Sequence, residues 1–422
     1  MRVLDLYCGM GGLSLGLALA LDGAEVLGLD VDRWAVETYN LNLSRLGCKA
    51  AVQDVLEWEP EGGFDLMVGG SPCQPFSLAN TLRRGEEHPL FPTFPRFFDL
   101  VLALRPKAFL LENVKGLTMR PFRRYLDAQL ARVSGDYRVQ MAVLDASRYG
   151  VPQRRERLFA VGIRRDLGAR FKFPEPTHAP QEHVALDGRK IHRWLTLREA
   201  IGDLMVLPPL EGKKLVQTNP RHGKPADPDS PSRTVKVDGR GGDFCFDTIL
   251  IPFVDSRGKL VSIPWTEYQS IHPPLSPDEP CRALVSHLAK SSRDALVAEH
   301  VMTEVGGWDT ERSDWGSRVM DPGRPAFTIT EKHRSGQLLP AVYRRLTVRE
   351  CLRIQSFPDW WRFPGDCSVS KKYRLVGEAV PPILAYRLGV ALGRALGCPV
   401  REPPREEDWA LPYFAQAFAD YF

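Results

Sequence analysis

The chain has 422 residues, 43% apolar and 26% charged, with a formal net charge of +4. That length buries a sizeable core and suits two domains, and the composition excludes a disordered or low-complexity chain. The near-neutral balance permits a polyanionic partner without demanding one, and no apolar run approaches the roughly 20 residues that span a bilayer.

Residues 1 to about 165 alternate short apolar runs with amphipathic stretches. Strands are expected at 3–7, 25–29, 66–68, 108–111, 138–144 and 158–163, and helices at 13–21, 33–43, 95–104 and 122–133. Such alternation argues for an α/β fold, a parallel sheet with helices on both faces. The opening Met1-Arg2-Val3-Leu4-Asp5-Leu6 runs straight into a strand and lacks the layout of a secretory signal. Eight cysteines are scattered with no Cys-x-x-Cys pair, so neither a metal site nor a disulfide framework is suggested and a reduced cytoplasm is the expected setting.

Asp5-Leu6-Tyr7-Cys8-Gly9-Met10-Gly11-Gly12-Leu13-Ser14 reads as a strand, a glycine-rich turn and a helix start. Glycines let a backbone approach a ligand closely, and a helix N-terminus favours anionic groups. The spacing is not the dinucleotide fingerprint, and alone it equally describes a structural turn. Asp30 closes the second strand, where an acid can hold ribose hydroxyls, and Asp54 follows a third strand, where it can meet an adenine edge. A glycine turn with two acids at successive strand ends suggests a nucleoside-containing cofactor.

The run Gly69-Gly70-Ser71-Pro72-Cys73-Gln74-Pro75-Phe76-Ser77 follows the apolar strand Phe64-Asp65-Leu66-Met67-Val68. It presents a cysteine at a strand end, where open α/β sheets place catalytic groups, and a thiolate there is a carbon nucleophile. A buried cysteine is more often just a small apolar residue, so the run gains meaning only from its neighbours. Glu112 ends the apolar run Ala108-Phe109-Leu110-Leu111, and a carboxyl group in that setting has a raised pKa suited to proton donation. In Gln153-Arg154-Arg155-Glu156-Arg157, strand alternation sends Gln153, Arg155 and Arg157 to one face; a salt-bridged strand edge is the plain alternative.

From about 170 to 340 proline, glycine and charge increase and short β-like runs replace helical periodicity. Stretches at 229–235, 278–284 and 322–329 each read as a turn leading into a strand, too loosely spaced for a repeat architecture. A helical pattern returns at 383–396, followed by a mixed acidic and aromatic tail, 401–422, expected to pack on its own domain. Basic residues gather at 344–374 and again at Arg154, Arg155 and Arg157; phosphate contact is their reading only if the neighbouring chemistry points to nucleic acid.

Taken in order, these segments resemble the DNA cytosine-5 methyltransferases. The glycine turn, Pro72-Cys73-Gln74, Glu112-Asn113-Val114 and Gln153-Arg154-Arg155-Glu156-Arg157 are similar to four of that family's motifs. Arg345-Leu346-Thr347-Val348-Arg349-Glu350-Cys351 with Gln355-Ser356-Phe357-Pro358, and Tyr373-Arg374-Leu375-Val376-Gly377-Glu378-Ala379-Val380-Pro381, are similar to the last two. Six matches in the family's order are hard to obtain by chance.

The resemblance implies an S-adenosylmethionine-dependent, Rossmann-like mixed sheet with helices on both faces and a smaller, irregular, β-rich target-recognition domain. On that reading residues 1–180 form the first part of the catalytic domain, 181–370 the recognition domain and 371–422 the return to the catalytic domain. The final helix, beginning near Pro382, is expected beside the first strand. Double-stranded DNA is expected in a cleft between the domains, bound by a monomer with its target base flipped out. A compact chain without chromatin-reading modules suggests a prokaryotic enzyme, cytoplasmic, of a restriction-modification or phage-defence system, associating with restriction or defence proteins.

The resemblance also implies residue roles. Cys73, with Gln74 beside it, attacks C6 of cytosine and Glu112 donates to N3; Arg155 holds O2 or the adduct, and Arg157 orders the site. Tyr7, Cys8, Gly9, Gly11, Gly12 and Leu13 surround the methionine part of the cofactor. Asp30 takes the ribose and Asp54 the adenine, and Val31, Val55, Glu378 and Val380 are the further residues expected at the cofactor. Ser77, Arg84, Gln153, Arg345 and Arg349 are the expected DNA contacts. Val31 stands where the family often carries an aromatic residue, so apolar contact replaces stacking.

Two departures stand out. The last motif usually reads Gly-Asn, whereas this chain has Gly377-Glu378, and Arg84-Gly85-Glu86-Glu87-His88-Pro89-Leu90-Phe91 departs from the usual loop after the nucleophile. A tRNA-methylating relative would carry Cys-Phe-Thr before the post-recognition motif; Phe327-Thr328-Ile329 stands there instead and favours DNA. A catalytically silent DNA-binding protein is the rival from another class, and retention of Cys73 and Glu112 argues against it.

Overall fold

The computed structural model describes residues 1–76, 85–204 and 348–421, with short strand segments between 216 and 318. The strands are β1 (Arg2–Leu6), β2 (Glu25–Asp30), β3 (Cys48–Val52), β4 (Leu66–Gly70), β5 (Ala108–Val114), β6 (Tyr137–Asp145), the two-residue β7 (Gln153–Arg154) and β8 (Glu156–Arg164). Helices α1 (Gly12–Ala20), α2 (Arg33–Leu43), α3 (Thr93–Leu104) and α4 (Arg123–Val133) fall where the apolar periodicity places them. The main sheet has the order β3-β2-β1-β4-β5-β8-β6. Strands β1 to β5 are mutually parallel, but β8 runs antiparallel to both β5 and β6, so the sheet is mixed rather than wholly parallel. No helix separates β6 from β8; only a short turn and β7 do, and that length reverses the chain.

Alternation along β1 divides its side chains between two layers. Leu4 and Leu6 enter an apolar core with Phe94, Phe97 and Phe98 of α3 and Leu126 and Val133 of α4. Asp5 points the other way, accepting a 2.6 Å hydrogen bond from Ser14 of α1, and Ser14 accepts one of 2.9 Å from Tyr39 of α2. Burial pushes the Asp5 carboxyl up to about 7, with the Ser14 bond opposing. The folded state then holds a proton the unfolded chain has lost between about pH 4 and 7, so this group's stabilisation is present at low pH and lost as pH rises. Asp5→Asn is expected to remove that slope, up to about 1.4 kcal/mol per pH unit. Denaturant unfolding across pH 5–8 checks it; identical slopes in the two proteins would refute it.

Every residue of α1 is buried because a second helix, Pro382–Leu396, lies against it. The close approach needs glycine: a Cβ on Gly16 would lie 2.4 Å from Ala385 Cβ, and one on Gly389 would lie 2.7 Å from Ala20 Cβ. The returning helix therefore packs on α1 rather than directly beside the first strand. The stretch Val369–Leu396 is long and apolar enough by composition to cross a membrane, contrary to the expectation that no apolar run has that length. In the fold it divides into helices Val369–Glu378 and Pro382–Leu396, and 83% of its apolar window is buried.

By packing, one unit comprises Met1–Val206, Asp229–Phe244 and Val348–Phe422, and the other Leu207–Pro228 and Cys245–Thr347. Limits at 180 and 370 therefore do not coincide with the compact units: residues 181–206 and 348–370 pack with the sheet. One reason is Arg353, which reaches Asp203 at 2.5 Å and Asp359 at 2.6 Å. The smaller unit contains the antiparallel pair Leu250–Asp255 and Lys259–Pro264. Of the three turn-strand stretches, 229–235 contributes the strand Ser232–Arg233; 278–284 and 322–329 lie outside the described residues.

Candidate active site

Strand β4 lies between β1 and β5, and its glycines let neighbours cross its end. A Cβ on Gly69 would lie 2.6 Å from the Leu6 carbonyl, and one on Gly70 would lie 2.8 Å from Glu112 Oε2. The loop beyond carries Cys73 and is held on both sides. Asn113 donates to the Ser71 carbonyl and hydroxyl at 3.1 and 3.0 Å, and the Cys73 carbonyl accepts from Phe76 N at 3.0 Å. Phe76 is buried edge-on against Phe91, Phe94 and Phe122, with ring centroids 6.1, 5.0 and 5.9 Å away. Gln74 opens the single turn that Phe76 closes.

Glu112 is delivered by β5, and antiparallel register sets Val114 opposite Arg157 of β8. Arg157 Nε lies 3.2 Å from Glu112 Oε1, with both side chains largely covered. Burial pushes the Glu112 carboxyl above the usual carboxylate range, with Arg157 and then Arg155 opposing. Burial also pushes the Cys73 thiol up; Arg157 opposes that, while Glu112 and Glu378 reinforce it. A thiol, a carboxyl whose pKa is raised and a guanidinium are thus electrostatically coupled at the ends of adjacent strands.

Arg155 is engaged by the fold through one nitrogen, while its Nε and Nη1 are buried without a hydrogen-bond partner. It is 1% exposed, and its Nη2 donates to the Gly377 and Ala379 carbonyls at 2.9 and 3.0 Å. Arg157 is the arginine on the Glu112 carboxyl, a placement that fits its expected ordering of the site. Strand alternation placed both on one face, but β7 and β8 are separate strands and Arg155 falls in the break between them. Gln153 is likewise fully buried, not presented at a DNA-facing surface. Asp145 organises this run: it accepts from Arg155 N at 3.1 Å and from Arg154 Nε at 2.6 Å. Neither Asp145 nor Asn113 was singled out in the sequence; Asn113 follows Glu112 directly, and alternation aims it at the nucleophile loop.

On the cofactor side, Tyr7 and Gly9 have φ of +59° and +53°, turning the chain away from β1. Gly9 N donates to Asp30 Oδ2 at 2.8 Å, and Asp32 N to Asp30 Oδ1 at 2.8 Å, so Asp30 fastens the glycine turn. A Cβ on Gly9 would meet no atom within 4 Å, leaving open space over the turn. Gly11 at φ +96° packs on Leu43 and Tyr39, and a Cβ on Gly12 would lie 2.2 Å from the Val380 carbonyl. That contact brings the last motif to the first. Val31 is 64% exposed at the rim, and Asp54, half-buried, accepts from Leu56 N at 2.8 Å. Cys8, Leu13 and Val55 have buried side chains, so they face the core and offer a ligand little beyond backbone.

Glu378 ends the Val369–Glu378 helix, its side chain 39% exposed and 3.0 Å from Arg374 Nε. Burial raises its own carboxyl, with Arg374 opposing, and its charge raises the Cys73 thiol. Glu378→Asn is therefore expected to move the pH midpoint for Cys73 alkylation by iodoacetamide to lower pH. An unmoved midpoint would show that Arg374 already neutralises the carboxylate as far as the thiol is concerned.

Of the expected DNA contacts, Ser77, Arg84 and Arg345 lie outside the described residues. Arg349 donates to the Pro358 and Trp361 carbonyls at 3.4 and 2.8 Å, which ties it to its own fold.

Comparison with known proteins points to one family. The model of the C-5 cytosine-specific DNA methylase family matches residues 1–394. The type II methyltransferase M.XorII of Xanthomonas oryzae pv. oryzae is 30% identical over 93% of this chain and 84% of its own. M.MthTI of Methanothermobacter thermautotrophicus is 29% identical over 94% of this chain and 98% of its own. Among solved structures, the S. pombe Dnmt2 methyltransferase shares the fold, with a TM-score of 0.51, 15% identity and coverage of 94% of this chain and 98% of that one. With the six motifs in order and the family match spanning the whole sheet, the chain belongs to the C-5 cytosine-specific DNA methylases.

Proposed function

We propose that this enzyme methylates C5 of a flipped cytosine in double-stranded DNA through a covalent Cys73–C6 adduct, with S-adenosylmethionine as donor. The observation that carries the reading is the coupling of Cys73, Glu112 and Arg157 at the ends of adjacent strands. Cytosine C5 is a poor nucleophile while the ring is aromatic. Addition of the Cys73 thiolate to C6, with the Glu112 proton passing to N3, makes C5 enamine-like. Arg157 holds the Glu112 carboxylate that this transfer leaves behind. After methylation, loss of the C5 proton to solvent lets the C6–S bond break and returns Cys73 as thiolate, while the N3 proton returns to the Glu112 carboxylate.

The open space over Gly9 and the strand-end acids fit S-adenosylmethionine: the Gly9–Gly12 backbone and Tyr7 on its methionine part, Asp30 on the ribose, Asp54 on the adenine. When bound, that group supplies an electrophilic methyl. The resemblance to type II methyltransferases supports a role in protecting host DNA from a cognate nuclease. Bisulfite sequencing of host and plasmid DNA after expression tests the whole reading. Context-specific cytosine methylation that vanishes in Cys73→Ala supports it; methylated tRNA beside unmodified DNA would overturn it.

A further inference from the structure

The family match stops at residue 394, yet the residues that follow are fastened deep into the catalytic unit. Arg401 N donates to the Ala20 carbonyl at 2.8 Å, and Asp22 N to the Pro399 carbonyl at 3.1 Å, tying the segment to the end of α1. Trp409 and Phe418 are buried against Tyr386, with ring centroids 6.0 and 5.6 Å from it. Arg387, 5% exposed, makes a two-pronged pair with Asp420 at 2.7 and 2.6 Å and donates to the Ala417 carbonyl at 3.2 Å.

The far side of this segment lies on the chain that leads to Arg155 and Arg157. A Cβ on Gly150, which has φ +86°, would lie 2.3 Å from the Ala417 carbonyl, so the two backbones touch. Buried His178 donates from Nε2 to the Gln416 carbonyl at 2.9 Å, and the neighbouring Thr177 N donates to the Arg148 carbonyl at 2.9 Å. The turn containing Arg148 and Gly150 is thereby gripped from behind. Its first residue, Ala146, donates to the Arg155 carbonyl at 3.0 Å.

We propose that residues 411–421 form a positioning strap that sets the Ala146–Gly150 turn and, through it, the placement of Arg155 and Arg157. The inference rests on the catalytic reading of Arg157 given above. Asp420 and His178 are its positioning residues: neither touches a reacting atom. Asp420 holds the strap to the returning helix, and His178 holds it to the turn.

The test uses the full chain with Asp420→Asn and His178→Phe, assayed well below each variant's unfolding midpoint. Both variants are expected to stay folded by circular dichroism. Their kcat is expected to fall between about tenfold and a hundredfold, as small misplacements of catalytic groups produce. Because the strap does not reach the glycine turn, KM for S-adenosylmethionine should stay within about twofold. A role in stability alone would lower the midpoint and leave kcat unchanged, and that result in either folded variant overturns the strap. If Asp420→Asn does not fold, with Arg387 left buried without its partner, His178→Phe carries the decision. Arg157→Ala separates the two failures. Full activity there removes the catalytic reading, whereas an inactive Arg157→Ala with wild-type kcat in the strap variants removes the strap alone.

Discussion

Cys73→Ala is expected to abolish methyl transfer, by at least ~10⁴-fold, because the proposed route runs through the bond from its sulfur to C6. The thiol is held on a loop fixed by Asn113 on one side and Phe76 on the other, and both anchors survive the substitution. The unfolding free energy should therefore change by no more than about 1 kcal/mol. A direct readout of the bond is DNA copied with 5-fluorocytosine. The C5 fluorine cannot leave as a proton does, so elimination stalls and the protein stays attached to the strand. Wild-type protein should give a denaturant-resistant complex and Cys73→Ala none. A complex of equal yield in the variant would show that another residue attacks. In the free protein, alkylation of Cys73 should rise with pH through a midpoint above that of an ordinary thiol, since burial outweighs the opposing Arg157 charge. Arg157→Ala should move that midpoint still higher.

The fold of the larger unit was legible because its strands are short, apolar and bounded by glycines, and its helices carry a clear period. Alternation alone suggested a parallel sheet, whereas the family resemblance implied the mixed one that β8 provides. Strand direction depends on the length of the connection, and the short turn between β6 and β8 carries no periodicity of its own. The place of the returning helix was also misjudged. Apolarity says that a helix is buried, but it was Gly16 of α1, facing Ala385 and Tyr386, that decided which surface it meets.

Within the site, residues that must stand at strand ends were readable one by one: Cys73, Glu112 and Asp30 all follow apolar runs. What could not be read was which arginine does what. Arg155 and Arg157 look alike in sequence, and only the break between β7 and β8 turns one into a buried brace and leaves the other on Glu112. The same holds for Arg349, a plausible phosphate ligand by charge that the fold engages on two carbonyls. Charge patterning reports which residues can bind an anion; it does not report which are already used.

Glu112→Gln carries the second large effect. Glutamine keeps the shape and can still donate a hydrogen bond toward N3, but it cannot transfer a proton or balance Arg157. The loss in kcat/KM should be about 10²–10⁴-fold, the usual contribution of a positioned proton donor. Burial raises both the Glu112 carboxyl and the Cys73 thiol, and the reactive form needs the first protonated and the second ionised. Wild-type kcat/KM should therefore be bell-shaped in pH, with two apparent values belonging to the pair rather than to either residue. With glutamine at 112 the proton-donor limb disappears, and kcat/KM should rise through the thiol ionisation to a plateau. That ionisation should also move to lower pH, because the carboxylate that opposed the thiolate is gone. A variant that kept the bell would assign the proton donor to another group, with Glu378, the other carboxyl acting on Cys73, the first to test.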